Sequence, residues 1–321
     1  MPFTDISNPL CVIVGPTAVG KTELSIQLAE RIDGEIVSAD SRLLYRGMNI
    51  GTAKPSLCDQ TRVRHHLIDL IDPDNEFSLA LYQAKAFSAI DDILSRNKLP
   101  ILVGGTGQYI HAILYGWRIP TQKPNMQLRN ALYRWAEEIG REGLHRRLSI
   151  LDPEAARKID VNNVRRTIRA LEVIFGTGQL FSKQRQCQPT KYTTLIIGLT
   201  RSRQELYQRV DQRIMDMIDQ GLIDEVKHLL ALGYSPHLTG LSAIGYREMI
   251  SYLNGEISLD EAIERMKRTT RRFIRHQANW FKLNDPNIHW FNISGNKTII
   301  DDIVQFVETP SNWKVNNRME N

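Results

Sequence analysis

The chain is poor in cysteine. Its three cysteines, Cys11, Cys58 and Cys187, are odd in number and far apart. They form neither a disulfide framework nor a zinc site, and they suit a reducing cytoplasm, the expected location. No apolar run reaches the roughly 20 residues that a bilayer-spanning helix needs. Met1 to Asp5 lacks a basic region followed by an apolar run, so no secretory leader is expected. There is no internal repeat and no low-complexity tract, which sets aside solenoids and disordered arrays. What remains is an ordinary globular composition: 321 residues, 42% hydrophobic and 24% charged. That is enough chain for one large or two modest domains.

Against these absences one stretch stands out, Gly15-Pro16-Thr17-Ala18-Val19-Gly20-Lys21-Thr22. It satisfies the G-x-x-x-x-G-K-[ST] phosphate-cradling pattern in full. Leu10 to Val14 before it is a continuous apolar run, as in a strand buried on both faces. Leu24 and Leu28 after it are one helical turn apart. In such a loop the glycines let backbone N–H groups point inward, and the helix N-terminus adds positive potential. Lys21 supplies a mobile cation, and the Thr22 hydroxyl is placed to ligate Mg2+. The motif does not say whether a nucleotide or another diphosphate is held.

The net charge of +5 is unevenly spread. Residues 1–117 carry 10 Lys and Arg against 13 Asp and Glu. Residues 118–185 carry 14 against 7, and residues 264–282 carry 7 against 1. Two basic blocks beside a phosphate-binding core suggest a polyanion partner, although solvated helix faces give the same pattern.

Glu35 to Ala39 reads as a second strand, ending at Asp40. Ligands collect at the carboxyl ends of strands in open α/β sheets, so Asp40 is a candidate base or metal-water holder. Capping a short helix over Ser41 to Tyr45 is the plainer role. His65 and His66 read as ordinary surface or packing residues. Pro100 to Val103 is a further buried strand, leading to Gly104-Gly105-Thr106-Gly107. This turn fits close backbone approach to a ligand, or tight packing. No obvious Walker-B aspartate ends that strand, which weakens an ATPase reading. From about Trp117 to Arg185 the pattern turns helical and arginine-rich. Thr193 to Leu199 resumes the sheet, and a helix with Arg209 and Arg213 on one face follows. Those arginines could grip a phosphate or face solvent. Helices are expected over 221–232, 243–253 and 259–282. In the last, Trp280 and Phe281 read as core anchors and the arginines as facing solvent or phosphate.

Together these stretches resemble the bacterial-type tRNA dimethylallyltransferases, also called tRNA isopentenyltransferases. The matching pieces are the phosphate loop, Asp40 to Lys54, Leu102 to Tyr109, Arg166 to Val173, and Ile244-Gly-Tyr246 leading to Ser258. The resemblance implies an α/β fold: a P-loop NTPase-like parallel sheet flanked by helices, with a mostly helical inserted domain. Residues 1–117 and 186–308 would form the discontinuous core, 118–185 a basic tRNA-binding insertion, and 309–321 a flexible tail. It implies transfer of a dimethylallyl group from dimethylallyl diphosphate to N6 of the adenosine 3′ of the anticodon. Asp40 would be general base. Lys21, Thr22 with Mg2+, and Arg209 or Arg213 would stabilise the leaving diphosphate. Asp40, Ser41, Arg42, Leu43, Thr106, Arg129, Arg165, Arg166, Thr167, Ile168 and Arg169 would touch the tRNA anticodon stem-loop. A monomer is expected. The chain departs from the family pattern at Leu43-Leu44, Gln108 and His276. An adenylate isopentenyltransferase, a small-molecule kinase and a non-catalytic RNA-binding protein are the alternatives. The basic insertion counts against the first, and Asp40 beside a complete phosphate loop against the last.

Overall fold

The computed structural model describes residues 3, 5–119, 125–184, 190–295 and 298–315. Elements run in the order β1 (Pro9–Val14), α1 (Lys21–Ile32), β2 (Gly34–Ala39), α2 (Leu57–Arg62), β3 (His65–His66), α3 (Leu79–Ser95), β4 (Leu99–Gly104) and α4 (Gly107–Leu114). Three helices follow: α5 (Met126–Leu151), α6 (Pro153–Lys158) and α7 (Val164–Thr177). The chain then forms β5 (Thr193–Thr200), α8 (Arg203–Asp219), α9 (Leu222–Ala231), α10 (Tyr246–Leu253), α11 (Leu259–Gln277), β6 (Ile288–Asn292), α12 (Ile299–Glu308) and β7 (Lys314–Val315).

The strands make one sheet in the order β3-β2-β4-β1-β5-β6, with β7 pairing β5. All pairs on the main path are parallel, and only β7 runs antiparallel. β1 lies between β4 and β5, with Ile13 opposite both Val103 and Ile197. A central parallel strand buries both faces, which is why Leu10 to Val14 carries no polar alternation. Residues of α1, α8 and α12, among them Leu28, Val210 and Ile303, join β1 and β5 in one apolar cluster.

The described residues fall into two compact units, one within 3–114 and 190–315, the other within 115–184. The first unit holds the sheet. In the second, α5, α6 and α7 share their own core around Leu132, Leu144, Leu148, Ile168 and Leu171. α5 is broken at Gly140, whose φ of 73° is outside helical space.

Three expectations are corrected. Residues 41–45 form turns and a bridge, not a helix, because Asp40 Oδ1 accepts the Arg42 N–H two residues on, 2.8 Å away. The helix expected over 259–282 stops at Gln277, and Ala278 to Trp280 turn away. The tail is not free from residue 309: Trp313 is buried, its indole N–H donates to the Val307 carbonyl at 2.8 Å, and Lys314 and Val315 pair with β5. Residues 316–321 of that tail, and Arg185 at the insertion boundary, lie outside the described residues. Strands β3, β6 and β7 were not anticipated. β3 and β7 have two residues each, too few to show a period.

Candidate active site

Strand order assembles the site. β1, β4 and β2 are adjacent, and each ends in one of the singled-out segments. β1 ends in the phosphate loop, β4 in the Gly104–Gly107 turn, and β2 in Asp40. The register Ala39 opposite Gly104 places Asp40 beside that turn.

The phosphate loop is held from outside as well as by its glycines. Gly15 and Gly20 have φ of 151° and 114°, and Ala18 takes a left-handed φ of 65°. A side chain at Gly15 would meet the Leu199 carbonyl 2.7 Å away. Arg209 Nε donates to the Ala18 carbonyl and Arg201 Nε to the Val19 carbonyl, both at 2.8 Å. Arg201 is also paired with Glu205. Carbonyls on the back of the loop are thereby occupied, and successive N–H groups are left to form an anion-binding concavity.

Lys21 opens α1, and its Nζ donates to the Gly15 and Pro16 carbonyls at 2.9 Å each. Burial pushes its pKa down to about 8; the Asp40 charge opposes this and the Arg213 charge adds to it. Lys21, Asp40 and Arg213 therefore share one electrostatic neighbourhood. Burial also lowers Arg213, with Arg209 repelling it and Asp216 offsetting. A diphosphate would relieve this crowding of cations. The Thr22 side chain is exposed one residue further on.

Beside Arg209 and Arg213 lies a cavity of about 420 Å³. Its lining combines apolar Ile50, Ala53 and Met217 with the charged side chains of Lys54, the two arginines and Asp216. Lys54 was quoted in the Asp40–Lys54 stretch without a role. Its side chain is 3% exposed, paired with Asp69, and it donates to the Tyr45 carbonyl at 2.8 Å. The signal for it was a lysine between Ala53 and Pro55 in a loop with few other charges.

Around Asp40, the Ser41 N–H donates to Thr106 Oγ1 at 3.2 Å, and the Thr106 N–H to the Ala39 carbonyl at 3.2 Å. Arg42 reaches the Thr239 carbonyl at 2.6 Å, and Leu43 is half-buried. Beneath them the Tyr82 hydroxyl donates to the Ser38 carbonyl at 3.1 Å, and the Tyr82 and Tyr109 rings stack at 3.8 Å. Asp40, Ser41 and Thr106 are thus brought together on one stiff ledge.

Sequence reasoning missed Gln277. Its Oε1 accepts the Thr17 N–H at 2.8 Å, and its Nε2 donates to the Gly105 carbonyl at 3.1 Å. A glutamine among arginines offered no signal except that it follows Ile274 on the buried stripe of α11.

Within the helical unit the expected RNA-contacting residues divide. Arg165 is exposed and Arg166 half-buried. Thr167 and Ile168 are each 1% exposed, so their side chains cannot touch RNA. They face the core because the helix period turns them inward next to Ala170 and Leu171. Arg129 and Arg169 both pair with the buried Glu172, at 2.8 and 2.9 Å. Their first role is structural.

A parallel sheet with a complete phosphate loop at β1 and a carboxylate two strands away defines a P-loop NTPase-like α/β protein. A family model described as IPP transferase matches residues 43–284. The tRNA dimethylallyltransferase of Roseiflexus sp. strain RS-1 is 54% identical over 280 residues, covering 87% of this chain and 92% of the relative. That of Alkaliphilus metalliredigens is 48% identical over 307 residues, covering 94% and 98%. Among solved structures, the full-length tRNA isopentenylpyrophosphate transferase of Bacillus halodurans aligns with a TM-score of 0.70 and 41% identity, over 94% of this chain and 95% of that one. A eukaryotic dimethylallyltransferase acting on tRNA aligns with a TM-score of 0.75 and 28% identity, over 94% and 76%. The chain belongs to the IPP transferase family.

Proposed function

We propose that this protein transfers the dimethylallyl group of dimethylallyl diphosphate to N6 of the adenosine 3′ of the anticodon in tRNA. The observation that carries the assignment of roles is the convergence of Asp40 after β2, Lys21 after the β1 loop and Arg213 of α8 in one electrostatic neighbourhood, with Arg213 also lining a cavity that has both apolar and cationic side chains.

The chemistry follows from that arrangement. N6 of the adenine attacks the allylic carbon. A carbon–nitrogen bond forms, the carbon–oxygen bond breaks, and its electron pair leaves on the diphosphate. The N6 proton passes to the Asp40 carboxylate as general base. Charge accumulates on the leaving oxygen, and the loop N–H groups, Lys21 and Arg213 would stabilise it there. The dimethylallyl tail would sit against Ile50, Ala53 and Met217. N6 is a poor nucleophile, so holding it in line is worth as much as the base. An adenine stacked in an anticodon loop must flip out to reach the ledge at Asp40 and Thr106.

Thr22 is exposed at the loop, and among the described residues no group of three or more His, Cys, Asp or Glu is placed to hold a metal ion. Such a site fits a Mg2+ ion that arrives with its diphosphate, not one caged by the protein. When bound, the ion would add positive charge against the leaving group. For RNA phosphates, exposed Arg268, Arg272 and Arg275 of α11 are candidate contacts, and exposed Arg165 of the helical unit is another. The expected reach of the contact is one anticodon stem-loop per monomer.

The test is a product assay. Pure protein is incubated with Mg2+, dimethylallyl diphosphate and an unmodified anticodon stem-loop, with AMP in a parallel tube. Mass spectrometry should find one dimethylallyl increment on the stem-loop and none on AMP. An increment on AMP alone would move the acceptor to the free nucleotide.

A further inference from the structure

The C-terminal end of α11 closes on two segments far away in sequence. Gln277 is 4% exposed, and both ends of its amide are used. Its oxygen takes the N–H of Thr17 in the first half of the phosphate loop, and its nitrogen gives to Gly105 in the turn after β4. The fit is close: a Cβ at Gly105 would lie 2.3 Å from the Gln277 amide nitrogen and 3.8 Å from Lys21 Nζ. Three residues on, the Trp280 ring covers Gly107, where a Cβ would lie 2.2 Å from the indole. The same helix is tied to α8 by Arg271 paired with Asp211 and by Arg275 donating to the Tyr207 hydroxyl at 3.2 Å. Its exposed side carries Arg268 and Arg272.

We propose that Gln277 is a positioning residue for diphosphate binding: its amide fixes the first half of the phosphate loop against the Gly104–Gly107 turn. The physical reason is directional. A backbone N–H pointed at a fixed acceptor cannot rotate toward the ligand, so the loop is sorted into N–H groups spent on structure and N–H groups left for phosphate. Thr17 belongs to the first set. The amide serves both ends at once, its oxygen accepting at Thr17 and its nitrogen donating at Gly105. A buried N–H or carbonyl left without its partner costs free energy, so removing the amide leaves a loop that escapes by changing shape. Gln277 touches no reacting atom. It acts through the loop and, by its place on α11, joins the loop to the helix bearing the exposed arginines.

This inference rests on the prenyl-transfer reading only for the identity of the donor. The experiment uses the full chain with Gln277→Ala and Gln277→Met, the second keeping the side-chain volume without its hydrogen bonds. Titration calorimetry measures inorganic diphosphate binding in Mg2+ buffer. Steady-state assays give KM for dimethylallyl diphosphate, and filter binding gives the stem-loop affinity. Diphosphate affinity should fall about tenfold in both variants, and donor KM should rise alike, with stem-loop affinity within about twofold of the parent. Unchanged diphosphate affinity in a folded Gln277→Met protein overturns the proposal. So does an equal loss of diphosphate and stem-loop binding together with a collapsed melting transition in both variants, which makes Gln277 a general core residue. If the parent binds diphosphate but modifies no stem-loop, the prenyl-transfer reading falls while a selective diphosphate loss in the variants still upholds Gln277.

Discussion

Two glycine-rich turns end neighbouring strands in this protein, and they use glycine for different reasons. In the loop after β1, Gly15 and Gly20 hold φ of 151° and 114°, which side chains rarely adopt. In the turn after β4, none of Gly104, Gly105 and Gly107 has a positive φ. There the glycines make room. A Cβ on Gly104 would lie 2.2 Å from the Ala39 carbonyl oxygen, and those on Gly105 and Gly107 would enter Gln277 and Trp280. The first turn is shaped to receive a ligand, and the second is filled by its own protein. Similar letters in a sequence therefore mark an open site in one case and a packed buttress in the other. The packed turn stands between the phosphate loop and Asp40, and it sets the distance between binding and chemistry.

If that division is right, damage on the Asp40 side should appear in turnover and damage on the loop side in donor binding. The largest effect is expected from Asp40→Asn. It keeps the shape and the acceptor for the Arg42 N–H but cannot take a proton. Single-turnover transfer to the stem-loop should slow about 10³-fold, within the usual range for loss of a general base, while diphosphate and stem-loop binding stay within a few-fold. Turnover surviving in Asp40→Asn would remove the base assignment and break the comparison at its catalytic end.

The next pair of variants exchanges one methyl group between the two turns. Gly104→Ala drives a Cβ into the backbone of β2, so the strands must part. It should cost about 3 kcal/mol of stability, read as a lowered urea midpoint, with diphosphate affinity in the surviving folded protein largely kept. Gly20→Ala meets the Ile293 side chain at 3.3 Å and the Arg201 guanidinium at 3.9 Å, both side-chain ends, but its φ of 114° is strained for alanine. Its expected loss is in diphosphate affinity, on the order of tenfold, with a smaller change in the urea midpoint. The reverse pattern, binding lost in Gly104→Ala and stability lost in Gly20→Ala, would show that the roles of the turns are exchanged.

Much of this was legible in the sequence, and the reason is local. The loop, the buried runs of β1, β2, β4 and β5, and Asp40 at a strand end are each written within about ten residues, where period and motif operate. Strand order was not, because it depends on which distant segments pair; β4 slots between β1 and β2, and β6 adds beyond β5. Nor was the partnership of Gln277 with Thr17, 260 residues away, for which no local pattern exists. The Arg165–Arg169 segment shows the intermediate case. Its arginines were readable as basic, and the Arg169–Glu172 pair is a local i,i+3 contact within α7, but the burial of Ile168 and the capture of Arg129 by Glu172 emerge only when α5 and α7 pack. The Gly104–Gly107 run was ambiguous on its letters alone, and Ala39, Gln277 and Trp280 decide it for packing.

The smallest expected effect lies at the point where the two turns meet, Lys21. In the ligand-free protein its ammonium donates to the Gly15 and Pro16 carbonyls, and burial holds its pKa at about 8, below its ordinary 10.5. The sign follows directly. Between pH 8 and 10.5 the unfolded chain carries more protons at this lysine than the folded one, so folding stability gains from Lys21 as pH rises through that window. A bound diphosphate favours the charged form and reverses the shift. At about pH 8.5 diphosphate binding should therefore take up a fraction of a proton, read as a difference in calorimetric enthalpy between two buffers of unlike ionisation heat. Lys21→Arg should abolish the uptake, because a guanidinium stays charged throughout. Near pH 6.5, where Lys21 is already charged, its share of the uptake should vanish. An uptake of equal size in Lys21→Arg would place the responding group elsewhere. The loop would then meet the diphosphate with its lysine charged from the start, and the burial imposed by the packed turn would not reach the binding step.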